Sequence, residues 1–262
     1  MGKVDIQQQQ IFEHLKRSGQ MSLREAIELL NVSESTVRRL FIGLEKSGRV
    51  VRNYGGIQYI PEAQPEYSFD ILENRNVELK QAIARHAVSL VENGETIYID
   101  SGTTLSQFST ALAHRLEKGE LREITLITNS LINLSLLQKS GRLVLIGGEY
   151  RENRKDFSGY LAEETLKSLN FSKCFLGSDG FNPSLGFTTT DFYTARLNEI
   201  VLQNSLKSYV LMDSSKFKTS AVVSYSRKRP PQTLITDQRP PNSSADALGM
   251  QGTRIEICPK EI

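Results

Sequence analysis

Residues 32–39 read Val-Ser-Glu-Ser-Thr-Val-Arg-Arg, and this stretch decides how the first part of the chain folds. Ser33 can cap a new helix through its hydroxyl, and Glu34 then stands where the helix dipole favours negative charge. The opposite face of this helix carries hydroxyl and guanidinium groups, which on their own are also typical of a plain solvated helix. Apolar side chains follow at the i, i+3, i+4, i+7 spacing of one helical face: Val37, Leu40, Phe41 and Leu44.

The segments on both sides of this helix complete a winged helix-turn-helix. Upstream, residues 22–25 read Ser-Leu-Arg-Glu, which is the pattern of a capping box and opens a second helix. A first amphipathic helix is predicted over residues 5–17. Downstream, residues 49–52 and 57–60 read as two short strands joined by a glycine-containing turn. The sequence therefore predicts a winged helix-turn-helix over residues 1–60.

A domain of this kind binds double-stranded DNA with its third helix in the major groove, while the hairpin touches the phosphate backbone. Arginine suits both tasks, because it can pair with the two acceptors of a guanine edge and can also hold phosphates. We therefore expect DNA contacts from the polar side chains of the third helix and of the wing: Ser33, Ser35, Thr36, Arg38, Arg39, Arg52 and Tyr54.

The distribution of charge fits this prediction. The 262 residues carry a net charge of +2, but residues 1–60 hold nine Lys and Arg against six Asp and Glu, so that this part is +3 and the remainder is −1. A locally basic head on a near-neutral body fits site-specific DNA binding better than bulk attraction to polyanions.

Other kinds of site and compartment are disfavoured. Cys174 and Cys258 are the only cysteines, and two distant thiols make neither a disulfide framework nor a zinc site. No apolar run is long enough to cross a bilayer, and the polar first ten residues do not read as a signal peptide. We therefore expect a cytoplasmic protein that uses no metal, cofactor or membrane.

The remainder of the chain predicts a second, larger domain. Residues 61–66 read Pro-Glu-Ala-Gln-Pro-Glu, and we place a linker over residues 61–75 and a domain over residues 76–262. Short apolar strands alternate with helices in this domain, which predicts an α/β fold with a largely parallel sheet covered on both faces. Strands are expected at residues 96–99, 124–128, 142–146, 173–176, 208–212, 233–236 and 254–257.

Five of these strands end in polar or glycine-rich turns, and ligands of parallel sheets bind beyond the carboxyl ends of the strands. Residues 100–104 read Asp-Ser-Gly-Thr-Thr before a helix, where free N–H groups, hydroxyls and the helix dipole can cradle an anion. Any one such turn could be an ordinary capped connection. Together they indicate a pocket for a small phosphorylated, hydroxyl-rich molecule. The turn residues are Asp100, Ser101, Gly102, Thr103, Thr104, Thr128, Asn129, Ser130, Gly147, Gly148, Asp179 and Lys216.

Residues 32–59 closely resemble the DNA-binding domain of DeoR-type transcriptional regulators, through the paired arginines and the Arg-x-x-Gly-Gly wing. The resemblance implies a C-terminal sensor domain related to ribose-5-phosphate isomerase-type folds. It also implies a homo-oligomeric repressor, dimer or tetramer, of a sugar-utilisation operon, which a phosphorylated sugar releases from or retains on operator DNA. Matching motifs continue in the family's order as DSGTT (100–104), TNS (128–130), GGEYR (147–151), GFTT (186–189) and DSSKF (213–217).

By this resemblance, residues 100–104 hold the phosphate of the effector, and the other turn residues named above line its pocket. The chain departs from the family at two places. Leu40-Phe41 stands where Asp-Leu usually follows the arginine pair, which affects the operator preference. Thr194 and Asn198 stand where the family often has an acidic residue and a lysine, which affects the choice of effector.

Two other functions are compatible with the same residues. One is a sugar-phosphate isomerase or deaminase-like enzyme that carries a DNA-binding head, and such chemistry needs a positioned general base. The three histidines lie in the head or on predicted helices, so the candidate bases are Asp100, Asp179 and Asp213. The other is constitutive DNA binding with a sensor domain that has lost its ligand.

Overall fold

A computed structural model describes residues 3–18, 20–46, 50–53, 56–59, 67–139, 141–219 and 221–258. The chain divides into two units, residues 1–66 and residues 67–262. The first contains, in order, α1 (Lys3–Ser18), β1 (Gln20–Ser22), α2 (Leu23–Leu30), α3 (Glu34–Lys46), β2 (Val50–Asn53) and β3 (Gly56–Tyr59).

The first unit is the predicted winged helix-turn-helix. The Ser22 hydroxyl accepts the amide of Glu25, whose carboxylate accepts the amide of Ser22, so the capping box opens α2 as expected. β2 and β3 form the antiparallel wing, and β1, which is too short to be predicted from sequence, pairs with the other side of β3. The apolar stripe of α3 packs into a core with residues from α1, α2 and the wing: Ile11, Leu15, Met21, Ala26, Val37, Leu40, Phe41, Leu44, Val50 and Ile57.

The second unit is the predicted α/β domain. Its helices are α4 (Phe69–Leu72), α5 (Val77–Ser89), α6 (Thr103–Glu117), α7 (Leu131–Leu137), α8 (Tyr160–Lys167), α9 (Phe192–Gln203), α10 (Asn242–Met250) and a short 3-10 helix (Ser214–Lys218). Its strands are β4 (Thr96–Ile99), β5 (Thr125–Thr128), β6 (Arg142–Leu145), β7 (Glu149–Arg151), β8 (Asp156–Ser158), β9 (Phe171–Gly177), β10 (Gly180–Asn182), β11 (Gly186–Thr189), β12 (Ser205–Leu211), β13 (Val223–Ser224), β14 (Thr233–Thr236) and β15 (Arg254–Ile257).

Among the described residues, seven strands form one parallel sheet in the order β15-β14-β12-β9-β4-β5-β6. One face is covered by α5, α6 and α7, whose Ile83, Phe108 and Leu137 are fully buried. The other face is covered by α8, α9 and α10, whose Leu166 and Leu197 are equally buried. Burial on both faces explains why these strands are continuous apolar runs.

The segment before α5 differs from the prediction. Residues 67–75, which we assigned to the linker, lie in the second unit, whereas residues 61–66 lie outside the described residues. Phe69 is 2% exposed, and its amide donates to the carbonyl of Asn153 at 2.8 Å. The burial of this aromatic side chain attaches the segment to the second unit more strongly than its polar neighbours suggest.

The proline-rich C-terminal segment contains a helix although its composition is typical of a loop. Residues 242–246, which follow Pro240 and Pro241, begin α10. Pro241 stands at the N-cap, where a missing N–H costs nothing, and Leu248 anchors the helix in the core. Two small antiparallel elements were not predicted either: the hairpin β7–β8 and the sheet β10-β11-β13.

Candidate functional site

The third helix of the winged domain presents the predicted face to solvent. Val37 is fully buried on one side of α3, and Arg38 and Arg39 are exposed on the other. The Ser33 hydroxyl accepts the amide of Thr36 at 3.4 Å, which caps the helix as expected. Ser35 is also exposed and lies 3.0 Å, oxygen to oxygen, from the Ser33 hydroxyl. The geometry is that of a helix able to enter a groove of DNA.

The two arginines of α3 are in different electrostatic situations. Arg38 pairs with Glu34 one turn earlier at 2.7 Å, and both side chains are more than half exposed, at 62% and 57%. Such exposed i, i+4 pairs stabilise by only a few tenths of a kcal/mol, so Arg38 can leave Glu34 for a phosphate or a base. Arg39 makes no ion pair within the described part of the chain. In the wing, the side chain of Arg52 and the whole of Tyr54 lie outside the described residues.

In the second unit, a small, partly open cavity lies where the carboxyl ends of β4, β9 and β12 meet. Its position follows the rule that ligands of parallel sheets bind beyond the carboxyl ends of the strands. The lining residues are Tyr67, Asp100, Ser101, Gly102, Thr103, Thr104, Leu105, Arg154, Gly177, Ser178, Asp179, Thr189, Thr194, Leu211 and Lys216.

One wall of the cavity is the first turn of α6. Gly102 stands at the N-cap with φ 118° and ψ 161°, and no side chain caps this helix. The first intrahelical bond runs from the amide of Ser106 to the carbonyl of Gly102, so the amides of residues 103–105 have no helical acceptor. Thr103 and Thr104 add buried hydroxyls. This turn is a ready cradle for an anion.

Asp100 lies beside that turn and is held on both carboxylate oxygens. Its Oδ1 accepts the Ser101 amide at 2.8 Å, and its Oδ2 accepts the Gly177 amide at 3.0 Å and the Asn198 side chain at 3.1 Å. Burial raises the pKa of Asp100 to about 7 and outweighs these hydrogen bonds, which act in the opposite direction. Asn198, one of the two departures from the family pattern, is therefore a direct neighbour of the pocket.

Two lysines flank the cavity. Lys216 donates to the Ser178 carbonyl at 2.7 Å and lies 3.9 Å from Asp179. Lys80, on α5, is 3% exposed and donates to the carbonyl of Leu72 at 2.5 Å. Burial, followed by repulsion from Lys216, lowers the pKa of Lys80 to about 8. Lys216 therefore brings a positive charge to the lining of the cavity.

The opposite wall is an arginine and aspartate network that we did not predict. Arg154, in the turn of the hairpin β7–β8, pairs with Asp179 at 3.2 Å and with Asp191 at 2.8 Å, and also donates to Thr190. Its neighbour Arg151 pairs with Asp191 at 2.7 Å. The sequence signal was present, because two arginines follow the Gly147-Gly148 pair within six residues.

Asp179 shows what this network does. Its Oδ2 accepts hydrogen bonds from Arg154, from the hydroxyl and amide of Thr190 and from the Thr189 hydroxyl. Burial would raise its pKa, but the charges of Lys216 and Arg154 outweigh burial and hold the pKa below its ordinary value. The carboxylate is therefore ionised, and its Oδ1 accepts no hydrogen bond from the described residues, which leaves it for a ligand hydroxyl.

The structure places three of the predicted turn residues outside the cavity, in their own hydrogen bonds. The Thr128 hydroxyl donates to the carbonyl of Ile99 at 2.7 Å. Asn129 accepts the hydroxyl of Tyr98 at 3.0 Å, and Ser130 caps α7. These side chains stabilise the strand-to-helix turn and do not line the pocket.

Gly147 and Gly148 also lie outside the cavity. They follow β6, the edge strand, which is separated from β9 by two other strands. A side chain at Gly148 would collide with the carbonyl of Ser158, so this glycine permits the close approach of the hairpin β7–β8. The remaining predicted ligand residues, namely 100–104, Asp179 and Lys216, are brought together in one cavity.

None of the described histidines lines the cavity. His86 lies 2.7 Å from Glu256, on the α5 side of the sheet, and does not line the cavity. Within the described ranges no three His, Cys, Asp or Glu side chains cluster as metal ligands would. Nor does any described helix combine the length and hydropathy of a membrane span.

Comparison with known families identifies both units. Residues 7–63 match the family model of the DeoR-like helix-turn-helix domain, and residues 75–238 match that of the DeoR C terminal sensor domain. The second match alone spans more than half of the chain.

Individual proteins give the same result. The lactose phosphotransferase system repressor of Staphylococcus epidermidis is 33% identical over 233 residues, which cover 87% of this chain and 90% of that protein. The repressor of the same name from Lactococcus lactis is 33% identical over 88% of this chain and 90% of that protein. The solved ribose 5-phosphate isomerase A of Methanocaldococcus jannaschii aligns over 54% of each chain at 24% identity and a TM-score of 0.41, a likeness too low to assign a function.

Proposed function

This chain belongs to the DeoR family of transcriptional regulators, and from that membership we propose that it represses a sugar-utilisation operon and responds to a phosphorylated sugar. The resemblance drawn from residues 32–59 is thereby confirmed. The two relatives described above are each named lactose phosphotransferase system repressor, which supports a sugar operon as the target here. A panel of sugar phosphates can identify the sugar.

The observation that carries the proposal is the cavity at the carboxyl ends of β4, β9 and β12. One side offers the uncapped amides of residues 103–105 and the cation of Lys216, which suit a phosphate. The other side offers the Oδ1 of Asp179, which accepts no hydrogen bond from the described residues and suits a sugar hydroxyl. A neutral sugar would leave the α6 amides without an anion, and inorganic phosphate alone would leave this oxygen unused.

Operator binding is assigned to the exposed face of α3. Arg38 and Arg39 are the side chains on it that can read guanine or hold phosphate. One such helix contacts little DNA, so we propose that a homo-oligomer places two heads on repeated half-sites. Sedimentation at micromolar concentration, with and without operator, tests this point, and a monomer in both conditions contradicts it.

An enzymatic function is the second candidate, because Asp100 has a pKa of about 7, which suits proton transfer. Both oxygens of Asp100, however, already accept hydrogen bonds from the protein. We therefore propose binding without turnover. Purified protein incubated with aldose phosphates should produce no ketose phosphate, and sustained conversion that is lost in Asp100→Asn would reassign the protein as an isomerase.

The central experiment measures operator affinity by fluorescence anisotropy with and without a panel of hexose and pentose phosphates that includes fructose 6-phosphate. We expect at least one member of the panel to change the dissociation constant by about tenfold, through its different affinities for the DNA-bound and free states. If the operator affinity ignores every member, and none raises the melting temperature, the sensor function is refuted.

The DNA face is tested by Arg38→Ala and Arg39→Ala. Each should weaken operator binding by about 1–3 kcal/mol if the arginine reads a base. Arg24→Ala is a matched control, because Arg24 also forms an exposed i, i+4 pair, with Glu28, but lies on α2. Wild-type affinity in both α3 variants would remove this helix from the interface.

A further inference from the structure

Tyr67 is the first residue of the sensor unit, and it lines the cavity although no motif points to it. We propose that Tyr67 closes the phosphate end of the pocket, that its hydroxyl donates to the bound anion, and that it moves when the pocket is occupied. This inference rests on the proposed function. It adds a residue that contacts the effector and that is joined in the sequence to the segment leading back to the DNA-binding domain.

The position of Tyr67 carries the inference. Its ring lies over the guanidinium of Arg154, with 4.0 Å between the Arg154 Cζ and the ring centroid. Its hydroxyl lies 3.7 Å from the point that a Cβ on Gly102 would occupy. The phenol therefore spans the cavity from the arginine wall to the uncapped turn of α6, and its hydroxyl is beside the amides that would hold a phosphate.

The chemistry of this hydroxyl suits an anion. Among the residues that the structure describes, no protein group accepts a hydrogen bond from it. Burial, together with the nearby negative charge of Asp179, raises the pKa of Tyr67 well above its ordinary value. The phenol therefore keeps its proton at neutral pH and has a donor to offer, which a phosphate oxygen can accept.

The segment that carries Tyr67 makes hydrogen bonds and an ion pair along residues 69–72. The amide of Phe69 donates to the carbonyl of Asn153, and Asp70 lies 3.6 Å from Lys155, so the segment follows the hairpin turn that bears Arg154. At the far end of α4, the carbonyl of Leu72 accepts the buried Lys80. A shift of residues 67–72 therefore changes contacts of Lys80, Lys155 and Arg154, and Arg154 lines the cavity.

A bound anion would change the contacts of Tyr67. Without an anion, Tyr67 is held by its cation–π contact with Arg154. With an anion in the turn of α6, the hydroxyl gains a charged acceptor and the ring is drawn toward Gly102. Because residue 66 is bonded to Tyr67, this displacement reaches the first residue outside the sensor unit.

The first test removes only the hydroxyl. Tyr67→Phe keeps the ring on Arg154, so its melting temperature without ligand should equal that of the wild type, whereas a purely structural role would lower it. Its affinity for inorganic phosphate and for fructose 6-phosphate, measured by calorimetry, should fall about tenfold. Tyr160→Phe is the matched control, because Tyr160 is 72% exposed on α8, and it should bind both probes normally.

The outcomes separate this inference from the proposed function. A wild type that binds neither probe contradicts the phosphate pocket, and both proposals fail together. A wild type that binds the probes, together with a Tyr67→Phe variant that binds them equally well, overturns the role of Tyr67 alone. Fructose without phosphate should bind neither protein measurably, and equal binding of fructose and its phosphate also overturns the anion contact.

The second test detects the movement. The chain contains no tryptophan, so Tyr67→Trp introduces a single tryptophan, whose selectively excited emission reports its surroundings. Inorganic phosphate should shift its emission with a saturable dependence on concentration. Leu206→Trp is the control, because Leu206 is 77% exposed at the amino end of β12, away from the cavity. A Tyr67→Trp protein whose melting temperature rises with phosphate but whose emission stays constant would overturn the movement.

Discussion

Two turns of the sensor domain look alike in sequence but differ in what they leave available. Residues 100–104 and residues 128–130 each follow a buried strand, each is rich in hydroxyls, and each precedes a helix. In the second turn, the Ser130 hydroxyl accepts the amide of Asn133 at 3.2 Å, so α7 is capped by its own chain. In the first turn, Gly102 stands at the N-cap and offers no cap, so the first amides of α6 remain open.

The difference lies in the N-cap residue, and by our proposal it makes the first turn an anion site and leaves the second turn structural. A serine at the N-cap satisfies the helix dipole internally, whereas a glycine leaves the same N–H groups to an external anion. A polar strand end is therefore not enough to predict a ligand site. The N-cap residue of the following helix decides whether the first helix amides are free for an anion. Substitutions in the two turns can exchange their N-cap properties, and phosphate affinity and the free energy of unfolding then measure the effect.

The largest effect is expected from Gly102→Ser, which gives the first turn the cap of the second. The backbone of the new serine must adopt a φ near 118°, and its side chain would lie close to the Tyr67 hydroxyl. Its own hydroxyl can accept hydrogen bonds from the α6 amides. We expect affinity for inorganic phosphate to fall at least about 100-fold, or about 2.7 kcal/mol, by calorimetry.

The control is Gly119→Ser, because Gly119 also has positive φ, 71°, but has open space around it. It also places a side chain on a backbone of positive φ, but away from the cavity, and it should bind phosphate as the wild type does. If Gly102→Ser binds phosphate normally, the uncapped turn is not the anion site.

The second prediction concerns Asp100, which stands opposite neutral Asn129 at the end of the neighbouring strand. Burial raises the pKa of Asp100 from 3.8 to about 7, so the folded protein keeps a proton that the unfolded chain has lost. The stability contributed by this group is full below about pH 4 and is lost as the pH rises through 7. Asp100→Asn removes this dependence.

The free energy of unfolding of Asp100→Asn, relative to that of the wild type, should therefore increase by roughly 2 kcal/mol between pH 5 and pH 7 and level off above that. Thermal unfolding at each pH measures it. Asp246→Asn, an exposed change on α10, should show no such trend. Parallel pH profiles for Asp100→Asn and the wild type would show that Asp100 has an ordinary pKa.

The third prediction tests the cation that serves the open turn. Lys216→Ala should reduce phosphate affinity by about tenfold and abolish the effect of the sugar phosphate on operator binding, because it removes a charge-assisted contact. Thr103→Ala should act in the same direction through its lost hydroxyl. Lys218→Ala, an exposed lysine of the same 3-10 helix, is the control. A response of wild-type size in both Lys216→Ala and Thr103→Ala would place the ligand elsewhere.

The smallest effect belongs to the closed turn. Ser130→Ala removes the cap of α7 and should cost about 1 kcal/mol of unfolding free energy in urea. Phosphate affinity should not change, because Ser130 does not line the cavity. Ser135→Ala, exposed on the same helix, should change neither quantity. Loss of phosphate affinity in Ser130→Ala would show that the two turns share one site.

The positions of the strands could be predicted from sequence for a simple reason. Buried parallel strands are short apolar runs between turn residues, and β4, β14 and β15 have the predicted bounds. The hairpin β7–β8 and the sheet β10-β11-β13 were missed because each strand has only two to four residues. Their stability comes from contacts distant in sequence, which local patterns do not contain.

The pocket was only partly predictable, because the order of strands decides which turns meet. Every parallel strand ends at the same edge, but β9 lies between β4 and β12, so the turns of these three enclose the cavity. β6 lies at the edge of the sheet, so Gly147 and Gly148, which follow it, are too far from the cavity to line it. Tyr67 and Arg154 come from a presumed linker and an unpredicted hairpin, so nothing local assigned them to the site.

The two cysteines, finally, decide how this protein can be labelled covalently. Cys174 is fully buried and Cys258 is 7% exposed, and burial raises the pKa of their thiols to about 12 and about 11. Thiolates react with maleimides and oxidants, and protonated buried thiols do not. A cysteine introduced on an exposed surface, such as at Leu206, would therefore be the reactive thiol of the folded protein, without removal of either native cysteine.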